Sequence, residues 1–126
     1  MKPCLFSVLF VAGLLLGCNN PLWRQFGTHH GAVTVINNSR ERIVSGRLEI
    51  CGQGFELKDL PPGESRTFRY RVIGDDDYHL EVTFASKHTI KRRLGYVTSG
   101  FDFNEQLVVT EDNVRLGSSR IGNHVQ

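Results

Sequence analysis

Between residues 32 and 117 apolar and polar positions alternate in short runs, and turn-forming residues close each run after about eight to twelve positions. The runs are AVTVIN, RIVSGRLEIC, FELKDL, SRTFRYRV, YHLEVTF, TIKRRLGYV, and QLVVT followed closely by VRL. A period of 2 over such lengths predicts strands, and seven or eight of them predict an all-β, antiparallel β-sandwich of immunoglobulin-like type. The turns have their own chemistry. CGQGF offers glycines for positive φ, PPGES sets two fixed φ angles before a permissive Gly, and IGDDDY adds Asp side chains that bond their own backbone.

The alternation assigns faces. Phe68, Tyr70 and Val72 share one side of their run, Tyr78, Leu80, Val82 and Phe84 one side of the next, and Ile90 joins them as core. If Val72 lies opposite Tyr78, then Arg69 faces Glu81 and Arg71 faces His79. Keeping Phe84 and Ile90 on one face gives the following hairpin a three-residue loop, 85–87, with Lys91 opposite Glu81. Arg69, Arg71, Lys91 and Arg93 then form a basic face around one carboxylate. It suits an acidic partner or lipid headgroups, or is simply a solvated sheet face. Arg92 shares the phase of Ile90, Leu94 and Tyr96, which calls for a bulge or an edge position to release it. The segment 96–104, YVTSGFDFN, is long for a turn. Its Tyr96, Phe101, Asp102 and Phe103 make it a candidate interaction loop, the alternative being a plug for the end of the core.

The N-terminal run 5–16 is apolar but twelve residues long, short of the 17–25 or so that cross a bilayer. One Lys2 ahead of it is the layout of a secretory signal, and Leu15 does not suit ordinary cleavage before Cys18. LLGC, residues 15–18, resembles the lipobox of bacterial lipoproteins. The resemblance implies diacylglycerol on the Cys18 thiol, cleavage after Gly17 and acylation of the new amino group; Asn19 in place of Asp implies sorting to an outer membrane. The expected organisation is a signal peptide at 1–17, a lipidated tether at 18–31, a sandwich at 32–117 and a flexible tail at 118–126. Trp23 and Phe26 lie in the tether, against the domain or at the headgroup boundary. The stretch from VTVINNS through PPGES to YHLEVTF is also similar in style to small sandwich domains of bacterial envelope proteins.

Cleavage after Gly17 leaves 109 of the 126 residues, enough for one domain. With Lys2 gone, 14 basic side chains face 13 acidic ones and no like-charge tail remains, so nothing calls for nucleic acid. Cys4 leaves with the signal and Cys18 carries lipid. Cys51 is then without a partner, a small apolar filler at a strand end or else a reactive thiol. Asp75, Asp76 and Asp77 lack the spacing of an EF-hand, and His29 and His30 are far in sequence from His79, His88 and His124, so no metal site is assigned. G-x-S-x-G, H-E-x-x-H and phosphate-loop motifs are missing, and Asn37-Asn38-Ser39 is a sequon only for a eukaryotic secretory route. The expectation is a lipid-anchored cell-envelope protein with a non-catalytic binding or structural module and no cofactor. Its partners are the membrane, through Cys18, and another envelope protein. A metal-binding periplasmic protein and a small envelope enzyme are the alternatives.

Overall fold

The computed structural model describes residues 29–117. The expected signal peptide, Cys18 with residues 18–28 of the tether, and the tail at 118–126 lie outside the described residues. Eight strands run in chain order: β1 (His29–Asn37), β2 (Ile43–Ile50), β3 (Gln53–Leu60), β4 (Ser65–Val72), β5 (Asp76–Phe84), β6 (Thr89–Val97), β7 (Phe103–Val109) and β8 (Val114–Leu116). They form two four-stranded sheets, β4-β1-β7-β8 and β3-β2-β5-β6, packed face to face as a sandwich. The pairing is antiparallel except between β1 and β7, which run parallel. Immunoglobulin domains share this architecture, while the strand order here is its own.

The alternating apolar residues build the core between the sheets. Val33 and Val35 of β1, Leu48 and Ile50 of β2, Leu57 and Leu60 of β3, Tyr78, Val82 and Phe84 of β5, and Leu107 and Val109 of β7 are all buried. So are Tyr70, Leu80 and Ile90, while Phe68 is half-buried and stacks at a tilt on Phe55, with ring centroids 5.4 Å apart. Asn37, Ser39 and Glu105 are buried polar residues, and Asn37 is the most enclosed of them. Its amide donates to the carbonyls of Glu41 (2.8 Å) and Leu60 (2.9 Å), and its Oδ1 accepts from the Ser39 hydroxyl at 2.6 Å. A buried amide satisfied in this way pins the crossing from β1 to β2.

The hairpin expected between β4 and β5 does not form. The short link 73–75 carries the chain from one sheet to the other, and β4 pairs instead with β1, so that Arg69 lies opposite Ala32 and Arg71 opposite His30. Both sheets turn their apolar sides to the same core, so Val72 and Tyr78 both point inward without being neighbours on a ladder. The β5–β6 hairpin has the expected register, with Glu81 opposite Lys91 and Val82 opposite Ile90. The Phe84 amide donates to the His88 carbonyl at 2.8 Å, closing the three-residue loop.

β6 is an edge strand, which leaves Arg92 in solvent, where its Nε donates to Asn113 Oδ1 at 2.6 Å. Further along, Gly95 adopts a φ of +77° and the register slips between Tyr78 and Asp76. This bulge reverses the phase. Val97 becomes buried and Tyr96 is turned outward, against the continuous phase expected for Ile90, Leu94 and Tyr96. β1 starts at His29, so His29, His30 and Gly31 belong to the sheet rather than to the tether.

Candidate interaction surfaces

The outer face of the sheet β3-β2-β5-β6 carries rows of charge set by register. Arg47 of β2, Glu81 of β5 and Lys91 of β6 form one row, and Glu49, His79 and Arg93 form the next. Together they line an open cleft of about 460 Å3. The groups hold one another. Arg47 Nε donates to Glu49 Oε1 at 2.8 Å, Lys91 Nζ lies 3.8 Å from Glu81 Oε2, and Arg93 Nε lies 3.3 Å from Asp77 Oδ2. The Arg93 guanidinium, helped by His79, holds the Asp77 carboxyl below the usual carboxylate range. The hydrogen bond to Glu49 raises the pKa of Arg47 further.

Of the expected basic face, only Lys91 and Arg93 are here, around Glu81. Arg69 and Arg71 stand exposed on the other sheet, because β4 pairs with β1. The members the sequence reading missed are Arg47 and Glu49. They alternate with the buried Leu48 and Ile50, but nothing in RLEI says that β2 is the neighbour of β5.

Asp76, Asp77 and His79 bring their ligand atoms within 4.8 Å of one another. Their lone pairs have protein partners already. Asp76 accepts from the Cys51 amide at 2.7 Å and from the Asp77 amide at 2.8 Å, and Asp77 Oδ1 lies 2.8 Å from His79 Nε2. Arg93 supplies the positive charge that a cation would bring. The cluster therefore works as an ion-paired strut tying the β2–β3 turn to the start of β5.

The candidate loop at 96–104 is divided by the fold. Tyr96 is a β6 residue, 58% exposed, and Phe103 opens β7 half-buried against the core. The connecting segment 98–102 holds Phe101, 60% exposed, and Asp102. Asp102 Oδ1 accepts from the His30 amide at 2.9 Å and lies 3.2 Å from His29 Nδ1, so the start of β1 and this loop meet. The Thr98 hydroxyl donates to Asp75 at 2.6 Å, joining the loop to the 73–75 link, where Ile73 is 58% exposed. These bonds lower the pKa of both carboxyls, that of Asp75 chiefly through Thr98 and that of Asp102 chiefly through the His30 amide.

Behind this end lies a buried polar chain. The hydroxyls of Tyr70 and Tyr78 are hydrogen-bonded across the sandwich with their rings edge-on, centroids 5.9 Å apart. The Tyr78 hydroxyl also meets Glu105 of β7, and burial pushes Tyr70 up to about 12 and Tyr78 higher still. Glu105 is buried and its Oε2 has no partner, so burial raises its pKa as well. Gly31 makes room for this chain: a Cβ there would fall 2.1 Å from the Tyr70 ring.

No family model matches the chain, and no curated protein does. Among solved structures it is similar to a protein from Eubacterium rectale determined by NMR. Identity is 14%, the match covers 76% of this chain and 93% of that one, and the TM-score is 0.53. A trapped toxin (10% identity, 75% of this chain, 24% of the other) and the human-specific toxin intermedilysin (11%, 73% and 23%) match with TM-scores of 0.36. The first likeness shows a shared small β-sandwich fold.

Proposed function

We propose that the chain is a lipid-anchored cell-envelope protein whose sandwich is a non-catalytic module for binding or supporting another envelope component. The observation that carries the reading is LLGC at 15–18, with Cys18 only eleven residues ahead of the first strand. A domain held by lipid on Cys18 stays beside its membrane, since two or more acyl chains make attachment lasting. The face β3-β2-β5-β6 supports the second half of the reading. Its charged groups are engaged with one another, Arg47 with Glu49 and Asp77 with His79 along single strands and Lys91 with Glu81 and Arg93 with Asp77 across strands. The pattern is suited to complementary contact with a partner surface and not to moving protons on a substrate.

Changing Cys18 to Ser tests the anchor. The expected outcome is loss of labelled fatty acid from the protein and its release from membranes on fractionation. Retention on membranes together with no lipid uptake by the wild type overturns the proposal.

A further inference from the structure

The large apolar side chains most exposed among the described residues gather toward one end of the sandwich. Ile73 lies in the 73–75 link, Phe101 in the 98–102 loop, and Tyr96 on the flank beside them, each between 58% and 60% exposed. The Thr98–Asp75 bond holds the two loops together, and the Asp102 bond to the His30 amide holds the second loop against the start of β1. The chain therefore enters the domain at the end that carries this apolar surface. Isolated exposed apolar residues are ordinary, but a group of them at the point where a membrane tether arrives has an evident use.

We propose that this end, with Ile73 and Phe101 at its tip, rests in the headgroup layer of the membrane, among zwitterionic lipids. The inference deepens the proposed function and rests on the lipid anchor at Cys18. Eleven residues reach at most about 40 Å when fully extended, and the shortest path from the anchor to His29 brings this end down first. Aromatic and branched apolar side chains at the tip match the boundary between headgroups and hydrocarbon. The carboxylates here do not oppose the contact. Asp102 is bonded to His30 and paired with His29, and Asp75 is bonded to Thr98, so both enter with partners. Arg69 and Arg71 stand exposed near this end, on the strand beside β1, and among the described residues Asp75 and Asp102 match them in number. No net positive charge there selects anionic lipid, which is why the lipid class is zwitterionic and the contact apolar. Such a contact is weak by itself. Tethering turns it into a local equilibrium at high effective concentration, and there a small preference is enough to orient the domain.

The test uses the full lipidated chain on phosphatidylcholine vesicles, with a photoreactive phenylalanine analogue at position 73 or 101. Positions 62 and 87, in turns at the opposite end, serve as references. Lipid on Cys18 and vesicle attachment are measured first on the wild type. Lipid adducts at 73 and 101, none at 62 and 87, and no loss of adducts in high salt are expected. Attached protein that gives no adducts at 73 and 101, or equal adducts at all four positions, overturns the orientation and leaves the anchor standing. Adducts to a second copy of the chain in place of lipid also overturn it, as does disappearance of the adducts in salt. A wild type without lipid overturns the anchor and the orientation together.

Discussion

At the scale of single residues the least comfortable group is Glu105. Its carboxyl is buried with one oxygen unpartnered, so the folded protein binds its proton more tightly than the unfolded chain does. The stability it contributes is therefore full below its ordinary pKa of 4.5 and is lost as pH rises through the raised folded value. Asp75, Asp77 and Asp102 act in the opposite sense, and only as pH falls below about 3.8. Urea unfolding of the wild type is expected to show stability declining from about pH 4.5 upward. Glu105→Gln should remove that decline and be more stable than the wild type near neutral pH, since the amide carries no charge to keep buried there. A variant with the same pH slope as the wild type would show that the carboxyl finds a partner after all.

At the scale of elements, the sequence told which side of β4, of β5 and of the first part of β6 faces the core, and misjudged which strand is the neighbour of β4. Phe84 and Ile90 fixed the parity of the β5–β6 hairpin because a tight loop forces consecutive strands to pair. Val72 and Tyr78 obeyed the same alternation with no such constraint, since a Gly-Asp turn permits either a hairpin or a crossing between layers. The charged cleft depended on that choice, so two of its six members in the paired rows, Arg47 and Glu49, were out of reach. A signal for the bulge was present in Gly95, a glycine inside a strand, which often marks one. The candidate loop was legible as a place but not in detail: Phe101 and Asp102 lie in it, and Gly95 decides where Tyr96 points. Gly95→Ala is expected to cost more than Gly52→Ala in chemical denaturation. Both positions have positive φ, where a side chain costs about 1–2 kcal/mol. Only at Gly95 does the new Cβ also meet a ring, 2.9 Å from Tyr78. Equal losses at the two sites would place the whole cost in the backbone.

At the scale of the whole molecule the two sheets share one interior, and neither can keep its apolar side dry without the other. Leu80, buried at the centre of β5, touches that shared interior, whereas Lys91 on the same sheet only pairs with Glu81 in solvent. Leu80→Ala is expected to cost about 2–5 kcal/mol, a large part of the roughly 5–15 kcal/mol by which small domains are stable. Lys91→Ala should leave the denaturation midpoint nearly unchanged, as exposed pairs contribute little. Equal shifts would mean that the faces of β5 and β6 have been exchanged. The position of β1 adds a mechanical property. It is an inner strand, bonded to β4 on one side and to β7 on the other, and the chain ahead of His29 continues from its end. Tension arriving along that chain, against a load at the far end of the sandwich, is drawn lengthwise through β1. The rungs of both ladders then share the force in shear, whereas an outer strand peeled sideways surrenders its bonds one after another. The first strand is thereby placed where a pull on the chain ahead of it loads the domain without unzipping it.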